Sequence, residues 1–85
     1  MVFLAITPNG LKEALRLAAD SGPPIWCGSD AISEQAYGAQ KAKGLSRFIY
    51  PLGARDPLVL EGALDTIDQH HPGEVVWVEA PASAD

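Results

Sequence analysis

The first apolar run of the chain, Val2–Ile6, has five hydrophobic residues in succession, with no alternation between polar and apolar positions. A strand of this kind needs cover on both faces, as a strand in the middle of a parallel sheet has. Three later runs rich in large apolar residues predict further strands at Ile25–Cys27, Arg47–Tyr50 and Glu74–Glu79. Four strands are therefore predicted, with the first at the centre of the sheet.

Three segments between the strands carry apolar residues at helical spacing. The first predicted helix begins at Pro8 and stops before Gly22, the second spans 31–43, and the third spans 57–70. We expect the second helix to be the least stable, because Gly38 in its interior costs about 1 kcal/mol relative to alanine. The predicted N-terminal caps are Thr7 (with Asn9 as an alternative), Asp30 and Asp56.

The alternation of strands and helices predicts a three-layer α/β domain over residues 1–80, followed by a polar tail at 81–85. A helix between each pair of consecutive strands makes the sheet parallel, and the crossovers are expected to be right-handed. The result resembles half of a flavodoxin-like or Rossmann-like sheet. We expect the strand order 2-1-3-4, with the first helix on one face and the second and third on the other. The alternative order, 1-2-3-4, would place every helix on one face and leave the first strand half bare.

The predicted order leaves one helix to cover a whole face of the sheet and puts the fourth strand at an open edge. Only Glu74, Glu79 and Pro81 are present to protect that edge from pairing with another chain. We therefore expect the chain to associate with itself, as a dimer, through the poorly covered face or through the fourth strand.

Composition narrows the class of protein. The chain has 85 residues, 47% hydrophobic and 20% charged, as expected for a single globular domain. Its net charge is −5, and no basic stripe is present to bind phosphates, which argues against nucleic acids and anionic membranes as partners. A single cysteine and the lack of a signal-peptide pattern at the N-terminus predict a cytoplasmic protein.

Candidate chemistry is concentrated where the predicted parallel strands end, because their carboxyl ends share one rim of the sheet. An anionic small molecule at this rim would face the unpaired backbone N–H groups at the start of the first helix. Capping of the helices by the same polar residues is the structural alternative. The candidate ligand-binding residues are Thr7, Asn9, Gly10, Lys12, Ser29 and Arg55.

Other kinds of site are less favoured by the sequence. A dinucleotide site needs three glycines in the first turn, where only Gly10 is present. Cys27 is the last residue of the second predicted strand and is either a nucleophile near a helix N-terminus or a buried core residue, and burial is the commoner case. His70 and His71, close to Asp68, have no further residues at metal-ligand spacing. We expect no metal, no cofactor and no catalytic residue.

The segment Ala5–Ala18, with its strand, Thr-Pro-Asn-Gly turn and apolar helix, resembles the opening of the N-terminal domain of cobalt-precorrin-5A hydrolases, which act in cobalamin biosynthesis. The segment Arg47–Gly53, followed by a helix and a strand, is loosely similar as well. The resemblance implies the same kind of α/β fold and a tetrapyrrole-related role. No catalytic residue is carried over, and this chain is much shorter than those enzymes.

Two functions follow from these expectations. The first is a small cytoplasmic binding or assembly module that is not catalytic and self-associates. The alternative is a domain of an enzyme that acts on an anionic small molecule bound at the rim of the sheet.

Overall fold

The computed structural model describes residues 1–18, 22–39 and 44–81. Strands and helices alternate along these residues in the predicted order. The elements are β1 (Val2–Ala5), α1 (Pro8–Ala18), β2 (Ile25–Cys27), α2 (Glu34–Ala39), β3 (Leu45–Arg47), α3 (Pro57–His70) and β4 (Val76–Val78). Within the described ranges, no helix is long and apolar enough to cross a membrane.

The four strands form one parallel sheet in the order β3-β2-β1-β4. The α/β class and the interior position of β1 are confirmed, but the predicted order 2-1-3-4 is wrong. The partner of β1 on its second side is β4, with Phe3 opposite Trp77. The physical reason lies in β3, which contains Ser46 and Arg47 and suits the edge of a sheet. The third strand was predicted to be interior because of its apolar residues at 48–50, but these residues follow β3 in the chain.

The two faces of the sheet carry separate cores. Residues of β1 alternate between them, so that Leu4 faces α3 and Ala5 faces α1. The steps from β1 to β2 and from β2 to β3 run in one direction, and α1 and α2 therefore share a face. The step from β3 to β4 runs back across the sheet and puts α3 on the other face. The prediction that the second and third helices share a face is therefore wrong.

Local sequence determines how two of the helices begin. Thr7 Oγ1 accepts a hydrogen bond from the backbone N–H of Gly10 at 3.0 Å, and Asp56 Oδ1 accepts one from Leu58 N at 2.9 Å. These contacts confirm the predicted caps of α1 and α3, each of which is followed by a proline at the first helical position.

The predicted cap of the second helix is wrong. Ser33 Oγ accepts the hydrogen bond from Ala36 N at 3.0 Å, because α2 begins three residues later than expected. The Asp30 carboxylate instead accepts hydrogen bonds from the backbone N–H groups of Leu52, at 3.2 Å, and Gly53, at 2.9 Å. Asp30 thus ties the turn after β2 to the loop after β3.

The remaining differences concern the ends of elements. The structure has β3 at Leu45–Arg47, two residues earlier than predicted, and limits β4 to Val76–Val78. α2 has six residues and buries none of them. Three predicted segments lie outside the described residues: the end of the first helix over 19–21, the continuation of the second helix over 40–43, and the tail over 82–85.

Candidate binding site at the ends of β1 and β4

The strand order reverses between β1 and β4, and ligands of open α/β sheets bind at the carboxyl ends of such strands. In this protein a side chain of the chain itself lies there. Glu79 follows β4 and extends its carboxylate to the turn between β1 and α1. Its Oε1 accepts hydrogen bonds from the backbone N–H groups of Ile6, at 2.7 Å, and Thr7, at 2.8 Å. Its Oε2 accepts one from Thr7 Oγ1 at 2.6 Å.

Gly10 allows this close approach. A Cβ atom on Gly10 would collide with the Glu79 carboxylate, so any larger residue would force the carboxylate away from Thr7. Arg55 binds the same residue from the other side, since its guanidinium donates to the Glu79 carbonyl oxygen at 2.8 Å. Arg55 itself adopts the left-handed conformation, with φ at 55°, in the loop before α3.

The electrostatics of this arrangement favour the ionised form of Glu79. Burial by itself would raise the pKa of its carboxyl group. Hydrogen bonds from Thr7 and Ile6, together with the nearby Arg55 charge, outweigh that effect and lower the pKa of Glu79 below its ordinary value. The carboxylate therefore occupies the position, and uses the donors, that an anionic ligand at this turn would need.

The structure brings three of the six predicted ligand-binding residues together, since Thr7, Gly10 and Arg55 all surround Glu79. Asn9 and Lys12 are exposed on α1. Ser29 lies in the turn after β2, where its N–H donates to the Tyr50 carbonyl and its own carbonyl accepts from the Arg47 guanidinium.

Sequence reasoning missed Glu79, which it treated only as a charge protecting an edge. The available signal was its position at the end of a strand. This position puts the carboxylate next to Thr7 only because β4 pairs with β1, and the sequence does not reveal that pairing.

An apolar groove of about 350 Å³ runs beside this network, between α1 and the β1–β4 half of the sheet. The groove exists because α1 and α2 lie over the β1–β2–β3 side, and no described helix covers β4 on this face. Its charged lining residues are Glu13 and Glu79. Phe3, Leu17 and Trp77 are large apolar residues of its lining.

Large apolar side chains around this groove are open to solvent. Trp77 is 58% exposed, Leu17 on α1 is 64% exposed, and Val75, just before β4, is 63% exposed. On the opposite face of β4, Val78 is 42% exposed. We refer to these four residues together with the groove as the β4 surface.

Cys27 has the properties of a core residue. Its side chain is completely buried, and burial raises the pKa of its thiol to about 11 despite the opposing effect of Arg47. A thiol of this kind holds its proton at neutral pH and reacts poorly as a nucleophile.

We expect the native protein to react with iodoacetamide at pH 8 about a hundredfold more slowly than the unfolded chain in guanidinium chloride. The raised pKa and the burial of the Cys27 sulfur act in the same direction. Mass spectrometry of timed samples measures the two rates. Equal rates in the folded and unfolded chains would mean that Cys27 is accessible and ionised, contrary to this assignment.

His70 and His71, at the end of α3, pack against the ring of Trp26 in β2. Their ring centroids lie 5.2 and 6.3 Å from that of Trp26, and His70 Nδ1 is 3.0 Å from the carbonyl oxygen of Thr66. Residues 1–18, 22–39 and 44–81 contain no group of three or more histidine, cysteine, aspartate or glutamate side chains that could hold a metal ion. The two histidines therefore lack further ligands within these ranges.

The chain matches no protein-family model, and no curated protein and no solved structure is significantly similar to it. The resemblance of Ala5–Ala18 to cobalt-precorrin-5A hydrolases accordingly stays a prediction.

Proposed function

We propose that this protein is a non-catalytic assembly module that binds a second copy of itself through the β4 surface. The observation that carries the proposal is the exposure of Trp77, a residue of an edge strand that is 58% exposed to solvent. An exposed, apolar edge strand is a template for pairing with another chain, and soluble proteins usually protect such edges.

The two edges of the sheet differ in the way this proposal requires. β3 carries Ser46 and Arg47, and the Arg47 guanidinium is engaged with the carbonyls of Ser29 and Ile32. β4 consists of valine, tryptophan and valine. Of the two edges, β4 therefore has the composition of a contact surface, whereas β3 has the polar composition typical of an edge that stays in water.

Charge does not protect the β4 surface, although the chain carries five net negative charges. Glu79 is held by Thr7, and Glu74 is hydrogen-bonded to the amino group of Met1. Glu13 pairs with Arg16 at 2.7 Å. Glu74 and Glu13 are thus paired with positive groups of the same chain, and the Arg55 charge lies near the Glu79 carboxylate. These positive groups reduce the repulsion between two approaching copies.

The exposed apolar side chains supply about half of the area that an interface needs. The exposed parts of Leu17, Val75, Trp77 and Val78 amount to roughly 400 Å² per chain, within the range of the largest patch on a typical monomer. A standard interface buries about 800 Å² on each partner, so these four side chains would supply about half of it. The groove and the strand backbone would supply the remainder.

The test is the mass in solution as a function of concentration. Sedimentation equilibrium between about 10 and 200 μM should give twice the 9.0-kDa chain mass, since a specific interface of this size gives micromolar or tighter binding. Trp77→Lys should raise the dissociation constant at least roughly tenfold, because it puts a charge at the centre of the surface.

The matched control is Leu58→Lys, which makes the same kind of change at a leucine that is 79% exposed on α3, away from the β4 surface. This variant should dimerise like the parent chain. A parent mass of 9.0 kDa at 100 μM would contradict self-association. Equal dimerisation of Trp77→Lys and Leu58→Lys would contradict the choice of surface.

A further inference from the structure

The geometry points to one arrangement of the two copies. We propose that β4 of one copy pairs antiparallel with β4 of the other, about a two-fold axis that passes beside Trp77. The two four-stranded sheets then become one continuous sheet of eight strands. This inference rests on the proposed self-association and adds the identity and the register of the contact.

The free edge of β4 presents backbone groups in a defined pattern. The Val75 carbonyl accepts a hydrogen bond from Val2 N, and Glu79 N donates to the Leu4 carbonyl, so residues 75 and 79 direct their backbone groups toward β1. Backbone direction alternates along a strand, and Trp77 therefore faces β1 as well. The N–H and C=O groups of Val76 and Val78 consequently point away from the sheet, where a second strand can bind them.

The side chains distinguish an edge contact from a contact between faces. Trp77 lies on the α1 side of the sheet, in register with Phe3, whereas Val76 packs with the core under α3. Val78 shares the side of Val76, since side chains two residues apart point the same way. A partner on the α1 face would cover Trp77 and Leu17 but leave Val78 and the backbone edge in water. Only a partner that approaches along the edge contacts both sides of β4.

The register follows from the short length of the strand. With the two-fold axis at Trp77, all three residues of β4 lie opposite all three residues of its partner strand. Val76 and Val78 of the two copies then form hydrogen-bonded pairs, which give four backbone hydrogen bonds in total. The two Trp77 side chains become direct neighbours across the strands, in the closely spaced type of pair. An axis at Val76 or Val78 would push one end of each strand past the end of its partner.

The charges agree with this register. Glu74 lies opposite Ala80 of the second copy, and Val75 lies opposite Glu79. Since the Glu79 carboxylate is turned toward Thr7, the neighbour of Val75 is the aliphatic part of that side chain. No two carboxylates face one another across the pair, which like charges would destabilise.

Cysteine cross-linking tests the register on the full chain. In the proposed pairing, position 76 of one copy and position 78 of the other have Cα atoms about 5.5 Å apart, within the range of disulfides. Identical positions, 76 with 76 or 78 with 78, are diagonal neighbours about 7–8 Å apart, beyond that range. We would prepare Val76→Cys and an isotope-labelled Val78→Cys, mix them under mild oxidation, and separate the products by mass spectrometry. The parent chain, with only the buried Cys27, is the control.

We expect the mixed 76–78 disulfide to exceed either self-disulfide by roughly tenfold, with the mixture sedimenting as a dimer. A dimeric mass with the three disulfides in the proportions of random pairing, or without any disulfide, would overturn the proposed register and leave self-association standing. A monomeric mass for both the parent and the variants would overturn the register together with the proposed function.

Discussion

Ile67→Ala is expected to lower the free energy of unfolding by about 3–4 kcal/mol, a large part of the stability of a domain of this size. Ile67 is completely buried on α3, where it packs with β1 residues such as Leu4. In the described part of the chain α3 is the only helix on its face of the sheet. Neighbouring helices therefore cannot move in to fill the cavity, and the loss should lie in the upper part of the usual range.

Urea denaturation followed by circular dichroism measures this loss, and Leu58→Ala is the matched control. Leu58 lies on the same helix and is 79% exposed, so its removal should change the free energy of unfolding by less than about 0.5 kcal/mol. If Ile67→Ala unfolds the protein completely, Ile67→Val should still cost about 1 kcal/mol. Equal effects at positions 58 and 67 would show that α3 does not pack on the sheet as described.

The second large effect is a change in the free energy of unfolding on Gly10→Ala whose sign depends on the presence of Glu79. In the parent chain, Gly10→Ala should lower the free energy of unfolding by about 1–2 kcal/mol, because the new methyl group displaces the Glu79 carboxylate from its hydrogen bonds. In a Glu79→Ala background the same substitution should raise it by up to about 1 kcal/mol, because alanine is the better helix former and the carboxylate atoms closest to the new methyl group are gone. Glu79→Ala alone should cost about 2 kcal/mol, since its carboxylate is only partly buried.

The four proteins of this double-mutant cycle can be compared by urea denaturation at pH 7. The difference between the two backgrounds measures the coupling of Gly10 to Glu79. A Gly10→Ala substitution with the same effect in both backgrounds would contradict the close approach of the carboxylate to this glycine.

The pH dependence of the same contact has a defined sign. Because folding lowers the pKa of Glu79, the contact stabilises the protein fully above about pH 5, where the carboxyl group is ionised in both states. As the pH falls below the ordinary glutamate value, the unfolded chain binds the proton first and stability decreases. The stability difference between the parent and Glu79→Gln should therefore shrink in this range. Glu74 has a lowered pKa too, but it is present in both proteins and cancels.

The parts of the fold that could be predicted from the sequence are those with local causes. The apolar run of β1 and the Asp56-Pro57 start of α3 depend on residues adjacent in the chain, and both were predicted correctly. The Thr7 cap depends on Gly10, three residues away. The order of the strands has no local cause. The four residues Arg47–Tyr50 look like an interior strand, whereas the structure ends β3 at Arg47 and puts it at an edge.

The candidate site depends on contacts between distant parts of the chain. Glu79 and Thr7 are separated by 72 positions, and Asp30 reaches Gly53 across 23. Sequence reasoning located Thr7, Gly10 and Arg55 at one rim because parallel strands end on the same side. It could not identify the carboxylate between them without the pairing of β4 with β1. The open β4 edge, by contrast, was predicted, because both the predicted and the observed strand order leave this strand outermost.

Hydrogen exchange at the β4 amides tests the central claim most directly. In an isolated chain the N–H groups of Val76 and Val78 point into water and should exchange rapidly, while Glu79 N–H, bonded to the Leu4 carbonyl, is protected. At concentrations where the chain is dimeric, we predict that Val76 and Val78 become as protected as Glu79, and that Trp77→Lys abolishes this protection. Rapid exchange of Val76 and Val78 in the dimeric parent protein would contradict pairing through the β4 edge.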